Sequence, residues 1–482
     1  MSVPSLRVQA ARGAMVVTTL KVVGTLIERI SQLILPLYLL PSDFGLFALA
    51  LFFSGFLGVV GELGMTTFLV RVSERFDETA DTAFALRLVI SLALVGLAAG
   101  LGFVASKLYP GPSLALPIFV LSLGLMFQAF AMVPRVLALR DLDYVRAAVP
   151  DGVGKFAGAA VTIALAIIGF AYWSPVYGAL VGLALGSILQ VIVSRWRPRV
   201  RINRALAGGI VRYGQFVSMA ILASFLAHSV DNAIVGWVLG IATLGYYVVA
   251  YSWGVYFVSS LSSVLGSITY PLFARVVDAR DRMKRVFREN LRYYTYLATC
   301  LSAGMFVVAP LFVLSLYGDS WEPAIAPMQI LAPVGLLLGY TSICADALYA
   351  AGRSKRVFAV SWLEVVVLVV LLPVATYFGG IVGTSLAALG GAVVLSSMMG
   401  RYASQVAGLV WVDWIEVVRS PLLASASGAA VTFPLTQIVP HNLTGLAVAV
   451  FAFAGTYVAV LEVLTQRRFL AEIRGLLRLA FS

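Results

Sequence analysis

Charge is what this chain has least of. Asp, Glu, Lys and Arg together make up 12% of the 482 residues, about half the share in a soluble globular protein, while 61% are hydrophobic. The apolar residues run through the whole length, so a soluble catalytic domain is excluded and a polytopic membrane protein is implied. Histidine and cysteine are scarce too, at two each. His228 and His441 cannot form a zinc-protease motif. Cys300 and Cys344, far apart and both within apolar stretches, indicate neither a disulfide framework nor a thiolate metal site. The nearest approach to a phosphate-binding loop, Asp151-Gly-Val-Gly-Lys-Phe156, lacks the first glycine and the hydroxyl residue. No loop is large enough to house an acid and a base, so no enzyme, catalytic metal or cofactor is expected. A cleavable signal peptide is not expected either, because the run after Arg7 and Arg12 is interrupted by Lys21, Glu28 and Arg29 and continues to Leu40.

What is present is a series of long apolar runs, which divide at proline, glycine and charge into fourteen expected helices. They run from Ala14 to Leu40, Phe44 to Val70, Thr82 to Ala105, Leu114 to Leu139, Ala148 to Phe170, Val176 to Val193, Tyr213 to Leu239, Leu244 to Phe273, Leu291 to Tyr317, Ala326 to Ala350, Phe358 to Phe378, Val382 to Met399, Leu422 to Val439 and Gly445 to Leu464. The net charge of +12 suggests nucleic acid only if the lipid is ignored. One set of connections carries nearly every Arg and Lys, among them Arg197 to Arg204, Arg280 to Arg288 and Arg353 to Arg356, while the alternate set carries only Lys107. Basic loops stay in the cytoplasm and are attracted to anionic headgroups, so both termini are expected inside and no nucleic-acid partner is needed.

A weak internal repeat is visible. Leu39-Leu-Pro-Ser-Asp-Phe-Gly45-Leu-Phe-Ala-Leu-Ala50 matches Leu239-Gly-Ile-Ala-Thr-Leu-Gly245-Tyr-Tyr-Val-Val-Ala250 at a constant offset. The repeat unit is therefore six helices, with an N-terminal bundle over residues 1–200, a C-terminal bundle over 201–412, and two added helices with a basic tail over 413–482. The linker Ser194 to Arg212 reads as a strap lying on the headgroups. Glycines at Gly55, Gly58, Gly61 and Gly64, and at Gly178, Gly182 and Gly186, mark faces where helices approach closely.

Charges inside the spans are the functional candidates, since each costs several kcal/mol unless it meets a partner or a watery cavity. Helix one sets Thr18, Lys21, Thr25, Glu28 and Gln32 at helical spacing, with Arg29 beside them. The equivalent helix of the second copy sets Ser224, His228 and Asp231 likewise, with Asn232 adjacent. Glu62, Arg87, Lys155, Asp346 and Glu364 complete the set. The alternative reading is a group of structural ion pairs between helices, with Arg87 and Lys155 snorkelling to the cytoplasmic surface and His228 a hydrogen-bonded interior imidazole. Tyr246, Tyr247, Tyr251, Trp253 and Tyr256 read as an interfacial girdle, with the deeper rings available to stack on sugars.

Leu40-Pro-Ser-Asp-Phe-Gly-Leu-Phe-Ala48, Gly61-Glu-Leu-Gly-Met65, Asp231-Asn-Ala-Ile-Val-Gly-Trp-Val-Leu-Gly240, Tyr317-Gly-Asp-Ser-Trp321 and Ala350-Ala-Gly-Arg353 resemble the recurring strings of the bacterial polysaccharide transport family. Its members are oligosaccharide flippases of the multidrug/oligosaccharidyl-lipid/polysaccharide exporter superfamily. The resemblance implies an all-α membrane protein with two six-helix bundles in a V around a central cavity. It implies an oligosaccharide repeat unit on a polyprenyl diphosphate as substrate, moved across the bilayer of the inner membrane for exopolysaccharide, capsule or O-antigen. A polysaccharide polymerase and a chain-length regulator would be its partners. On that reading Lys21, Arg29 and Lys155 attract the diphosphate. Glu28, Gln32, Glu62, His228, Asp231, Asn232, Asp346 and Glu364 line the cavity or bind a coupling proton or sodium ion. A lipid II flippase, a multidrug antiporter of the same superfamily and a non-transporting scaffold are the alternatives. Embedded cations and two extra helices argue against the antiporter, and the paired polar stripes argue against the scaffold.

Overall fold

The computed structural model describes residues 23–72, 74–194, 196–466 and 469. Among the described residues there is no strand, and sixteen helical segments form thirteen runs, one of which covers two of the fourteen expected helices; eleven of the runs are long and apolar enough to cross a bilayer. In chain order they are α1 (residues 23–34), α2 (Pro41–Glu62) and its continuation α3 (Met65–Arg71), α4 (Phe76–Leu108), α5 (Ala115–Ser122) with α6 (Gly124–Arg140), α7 (Tyr144–Ile168), α8 (Trp173–Val193), α9 (Arg204–Leu239), α10 (Ile241–Tyr251) leading through a π-helical turn into α11 (Phe257–Val276), α12 (Arg280–Leu316), α13 (Ile325–Ala350), α14 (Ser354–Ala407), α15 (Trp411–Ile438) and α16 (Leu443–Leu464). The chain divides into two compact units, Met1–Val248 and Val249–Ser482.

Apolar runs mark where helices cross lipid, not where they end. Four helices begin six or more residues before the one that hydropathy selects: α4 at Phe76, α9 at Arg204, α12 at Arg280 and α15 at Trp411. A helix already nucleated in the membrane propagates into water at the cost of one residue at a time, so charged residues with good propensity extend it. The strap expected over Ser194–Arg212 is shorter for the same reason. Its extended part ends at Asn203, whose amide donates to Thr82 Oγ1 on α4 (3.3 Å), and Trp196 packs edge-on against Phe84. Conversely, α14 runs over the expected boundary between helices eleven and twelve. Only Gly380 (φ 59°, ψ −149°) interrupts it, and the two arms are clasped by the Thr376–Thr384 hydroxyl pair at 2.8 Å.

Helix ends are fixed by side chains that sequence strings alone do not explain. Asp43 accepts the Leu40 amide through one carboxylate oxygen (2.9 Å), capping α2, and the Tyr172 amide before α8 through the other (3.2 Å). Asp413 caps α15 by the same spacing, accepting the Val410 amide at 2.9 Å. It also accepts Lys284 at 2.8 Å and Arg288 at 3.0 Å, joining α15 to the start of α12. Burial alone raises the Asp413 carboxyl, but the Lys284 and Val410 hydrogen bonds and the two cations outweigh it, leaving its pKa below the ordinary value.

Close backbone approach holds the apolar helices together. Between α7 and α8 a side chain on Gly154 would overlap the Gly182 carbonyl oxygen, and one on Gly158 would stand 2.7 Å from that of Gly178. The glycines of α2 turn to different partners: Gly55 to Phe225 of α9, Gly58 to Leu125 of α6, and Gly61 to Arg87 and Leu94 of α4. The repeated segment has its own contact. A side chain on Gly45 would overlap the Ile241 carbonyl oxygen, and one on Gly245 would overlap that of Pro41. The two copies thus meet reciprocally, each seating its glycine on the first helical residue of the other.

Two outcomes check these contacts. Gly45→Ala and Gly245→Ala each force backbone apart and should destabilise the purified protein by about 1–3 kcal/mol in thermal unfolding, whereas Gly96→Ala, which meets nothing within 4 Å, should not. Because the folded pKa of Asp413 is depressed, its contribution is present above the ordinary carboxylate range and lost as pH falls through the depressed value. The melting temperature of the wild type should therefore fall further on acidification than that of Asp413→Asn.

Candidate functional site

The first described helix presents two contrasting faces. Val23, Leu26 and Ile30 share one side and are 45%, 55% and 53% exposed, as a lipid-facing stripe requires. Glu28 and Gln32 lie opposite them. Glu28 is nevertheless exposed, so its carboxylate opens away from lipid, where a charge is tolerated only with water or a partner. That partner comes from α7. Lys155 Nζ stands 2.8 Å from Glu28 Oε1, with the two side chains 56% and 46% exposed, and the Lys155 stem passes 3.8 Å from the position a Gly24 side chain would take. One turn along, Arg29 donates to Gln32 Oε1 at 2.6 Å. Four of the expected residues therefore form one half-open array of two cations, a carboxylate and an amide. Thr18 and Lys21 lie outside the described residues.

The second copy is built differently at equivalent positions. Asp231 is 7% exposed and accepts the phenol of Tyr247 at 2.8 Å, while its other carboxylate oxygen accepts the Asn232 amide at 2.8 Å. Tyr247 is itself fully buried, so it belongs to the core rather than to an interfacial girdle; Tyr251 and Trp253 are buried likewise. In the first copy the matching residues are Ser31 and Phe47, which leave Ser31 Oγ without a hydrogen-bond partner among the described residues. His228 is half-buried, with Nδ1 at 2.8 Å from the Ser224 carbonyl of the preceding turn.

Arg87 does not snorkel. It is 3% exposed beneath Gly61, where its Nη1 has no hydrogen-bond partner among the described residues. Two features offset its charge. Glu62 acts on it electrostatically, and α2 ends at Glu62 because Leu63 and Gly64 are both left-handed (φ 45° and 59°), which brings the negative end of the helix dipole to the guanidinium. Gly214 of α9 packs against the Leu63 carbonyl at this break so closely that a side chain there would overlap it. An ion pair between Arg135 of α6 and Asp151 of α7 also joins the N-terminal unit. Neither residue belongs to a polar stripe, so periodicity did not find the pair.

In the C-terminal unit, Asp346 of α13 turns one oxygen, Oδ2, into a buried position facing Gly266 of α11, without a hydrogen-bond partner among the described residues. Glu364 is half-buried on the first arm of α14. No group of three or more His, Cys, Asp or Glu among the described residues is arranged to hold a metal ion, and Cys300 and Cys344 are both free thiols.

A long helical chain with embedded cations matches one family model, described as polysaccharide biosynthesis protein, over residues 34–326. The chain belongs to this family. Among curated proteins it is 28% identical over 309 residues to the succinoglycan biosynthesis transport protein ExoT of Rhizobium meliloti, a match covering 62% of this chain and 60% of ExoT. It is 20% identical over 346 residues to the lipopolysaccharide biosynthesis protein WzxC of Escherichia coli, covering 71% of this chain and 70% of WzxC. In fold it is similar to the lipid II flippase MurJ in an inward closed conformation (TM-score 0.74, 13% identity, 93% of this chain and 99% of MurJ). An inward-facing multidrug resistance MATE transporter of the MOP superfamily is similar too (TM-score 0.59, 17% identity, 83% of this chain and 98% of that one). The family resemblance read from the strings above is thereby borne out, and the chain is a multi-pass membrane protein.

The half-open Glu28–Lys155 pair is distinguishable from a structural brace. An exposed pair contributes less than about 1 kcal/mol, so a double-mutant cycle with Glu28→Gln and Lys155→Gln should give a coupling energy to unfolding below that value. A larger coupling would make the pair a brace.

Proposed function

We propose that this family member is a flippase that carries polyprenyl-diphosphate-linked oligosaccharide repeat units from the cytoplasmic to the periplasmic leaflet of the inner membrane by alternating access. It acts as a carrier rather than an enzyme. The observation that carries the reading is the half-open array on α1 and α7, where Arg29 and Lys155 stand away from lipid in a polysaccharide-biosynthesis chain. Cations in such a space attract a diphosphate while the polyprenyl tail stays in the bilayer. Lys21 joins them in this reading. The similarity to ExoT, a succinoglycan biosynthesis transport protein, and to WzxC, a lipopolysaccharide biosynthesis protein, supports the substrate class.

Lys155 already holds Glu28, so the diphosphate competes with a carboxylate for it. Release of Glu28 leaves an uncompensated negative charge, which a proton or sodium ion then satisfies; that is how substrate arrival and ion binding become linked. Asp231, Asp346 and Glu364 are the other proposed ion ligands, with Glu62, His228 and Asn232 as polar lining. The polymerase and chain-length regulator are the proposed partners that consume the flipped unit.

Leaflet accessibility of the lipid-linked oligosaccharide tests the proposal. In a deletion strain the repeat units should accumulate on the cytoplasmic face, and the restored protein should move them to a face where periplasmic enzymes modify the glycan. Arg29→Ala and Lys155→Ala should each lower the flipped fraction by about tenfold, the loss of one charge-assisted contact, at unchanged expression. Equal periplasmic exposure with and without the protein would overturn the reading.

A further inference from the structure

Beside the array on α1 and α7 lies a second polar surface, in the same N-terminal unit. Asp151 and Lys155 stand four residues apart and so lie on one side of α7. Lys155 reaches across to Glu28 of α1, whereas Asp151 Oδ2 meets Nη2 of Arg135 on α6. Neither pair is enclosed, the Arg135 and Asp151 side chains being 44% and 39% exposed. One side of α7 thus opens onto a space bounded by α1 and α6, and its two ion pairs stand one turn apart, about 6 Å along the helix.

What α6 contributes to that space depends on which of its residues are uncovered. Over residues 124–138 the exposed ones are Gln128, Phe130 and Arg135, and the Phe130 ring rests on Phe84 of α4 with centroids 5.4 Å apart. A helix that turns an open side to lipid fills it with aliphatic side chains, as α4 does with Leu92, Leu97 and Val104. On α6 the open side is polar. Gln128 stands halfway along the apolar run Ala115–Arg140, and its amide has no hydrogen-bond partner among the described residues. An unpartnered amide in hydrocarbon costs several kcal/mol, so Gln128 faces water. It lies seven residues from Arg135, on the same side of α6 and about 10 Å further from the basic end at Arg140. Two residues over two turns are too few to stand out in the sequence as a stripe.

The chemistry of this wall differs from that of the cationic array. Arg135 and Asp151 cancel and Gln128 is neutral, so the wall carries no charge to draw a diphosphate. It offers guanidinium and amide donors together with carboxylate and amide acceptors, spread over two turns. Sugar hydroxyls, each both donor and acceptor, match such a mixed set. A carboxylate accepts from two neighbouring hydroxyls at once, and a guanidinium beside it donates to their oxygens.

We propose that Gln128, Arg135 and Asp151 form the subsite for the glycan of the lipid-linked unit, next to the diphosphate array and separate from it. The inference rests on the flippase reading and adds to it the position of the sugar. The sugar adjoining the diphosphate meets Arg135 and Asp151, one turn from Lys155 on α7, and a following sugar reaches Gln128. Selection among glycans then falls to the α6 wall, whereas Arg29 and Lys155 hold the diphosphate.

Native mass spectrometry of the full-length protein tests it with two probes, the lipid-linked repeat unit extracted from the deletion strain and polyprenyl diphosphate without sugar. The wild type should bind the repeat unit more tightly than the bare diphosphate. Gln128→Ala should weaken the repeat unit about fivefold, the worth of one hydrogen bond, and leave the bare diphosphate unchanged. Arg135→Gln combined with Asp151→Asn keeps the wall neutral and should weaken the repeat unit about tenfold, again without touching the bare diphosphate. Lys155→Ala should weaken both probes alike. Gln128 is exposed and unpartnered, so its truncation leaves the packing intact even if the double variant folds poorly. Equal loss of both probes in Gln128→Ala, loss of neither, or equal affinity of the wild type for the two would overturn the inference and leave the diphosphate array standing. Failure of the wild type to bind either probe would overturn the flippase reading and this inference with it.

Discussion

Helices in a bilayer gain nothing by hiding apolar side chains from one another, because lipid is as apolar as they are. The fold therefore depends on how closely backbones approach, and close approach depends on glycine. Dispersion contacts are individually small and add only where atoms touch. On α7 and α8, Gly154, Gly158, Gly178 and Gly182 bring one helix's carbonyls against the other's backbone. On α2, Gly55, Gly58 and Gly61 let three different elements seat on a single helix. With apolar packing handled by backbone contact, polar groups are left to do what packing cannot. They end helices, as Asp43 and Asp413 do, or they stand as charges that need an answering group.

Much of this was legible in the sequence. The number of helices, the small-residue faces and the polar stripe on α1 follow from hydropathy and from the period of the helix, both local properties. The helix ends were not legible, because a charged segment such as Arg280–Arg288 reads as a loop by composition and becomes the first turns of α12 by propagation from the span behind it. Pairing was not legible either. Glu28 and Lys155 were both singled out, yet nothing in periodicity says that they meet across α1 and α7. Asp231 was read as a cavity residue, while its tyrosine partner was assigned to a membrane girdle; only the three-dimensional turn at Gly240 brings the phenol to the carboxylate. Arg87 read as a snorkelling side chain because it lies near a basic loop, but the left-handed break at Leu63 and Gly64 ends α2 beside it, and the guanidinium is buried beneath Gly61.

The two copies of the repeat share a frame and differ in chemistry. The first keeps its polar stripe half-open and charged with cations, whereas the second closes its carboxylate beneath Tyr247. Equivalent positions carry Glu28 and His228, Gln32 and Asn232, Ser31 and Asp231. Equivalent positions of a repeated sequence thus carry different chemistry, with cations half-open in the first copy and a carboxylate closed beneath a phenol in the second.

The reciprocal seating of Gly45 on Ile241 and of Gly245 on Pro41 has a consequence for how such a chain changes over generations. Internal copies ordinarily drift apart, since one can lose what the other still supplies. Here the small residue of each copy serves the main chain of its sibling, so neither segment is a spare. Widening at one position is felt at the far copy's carbonyl, and it can be relieved only by moving that copy's helix. The two strings are bound to stay alike at this contact, while the residues around them are free to diverge.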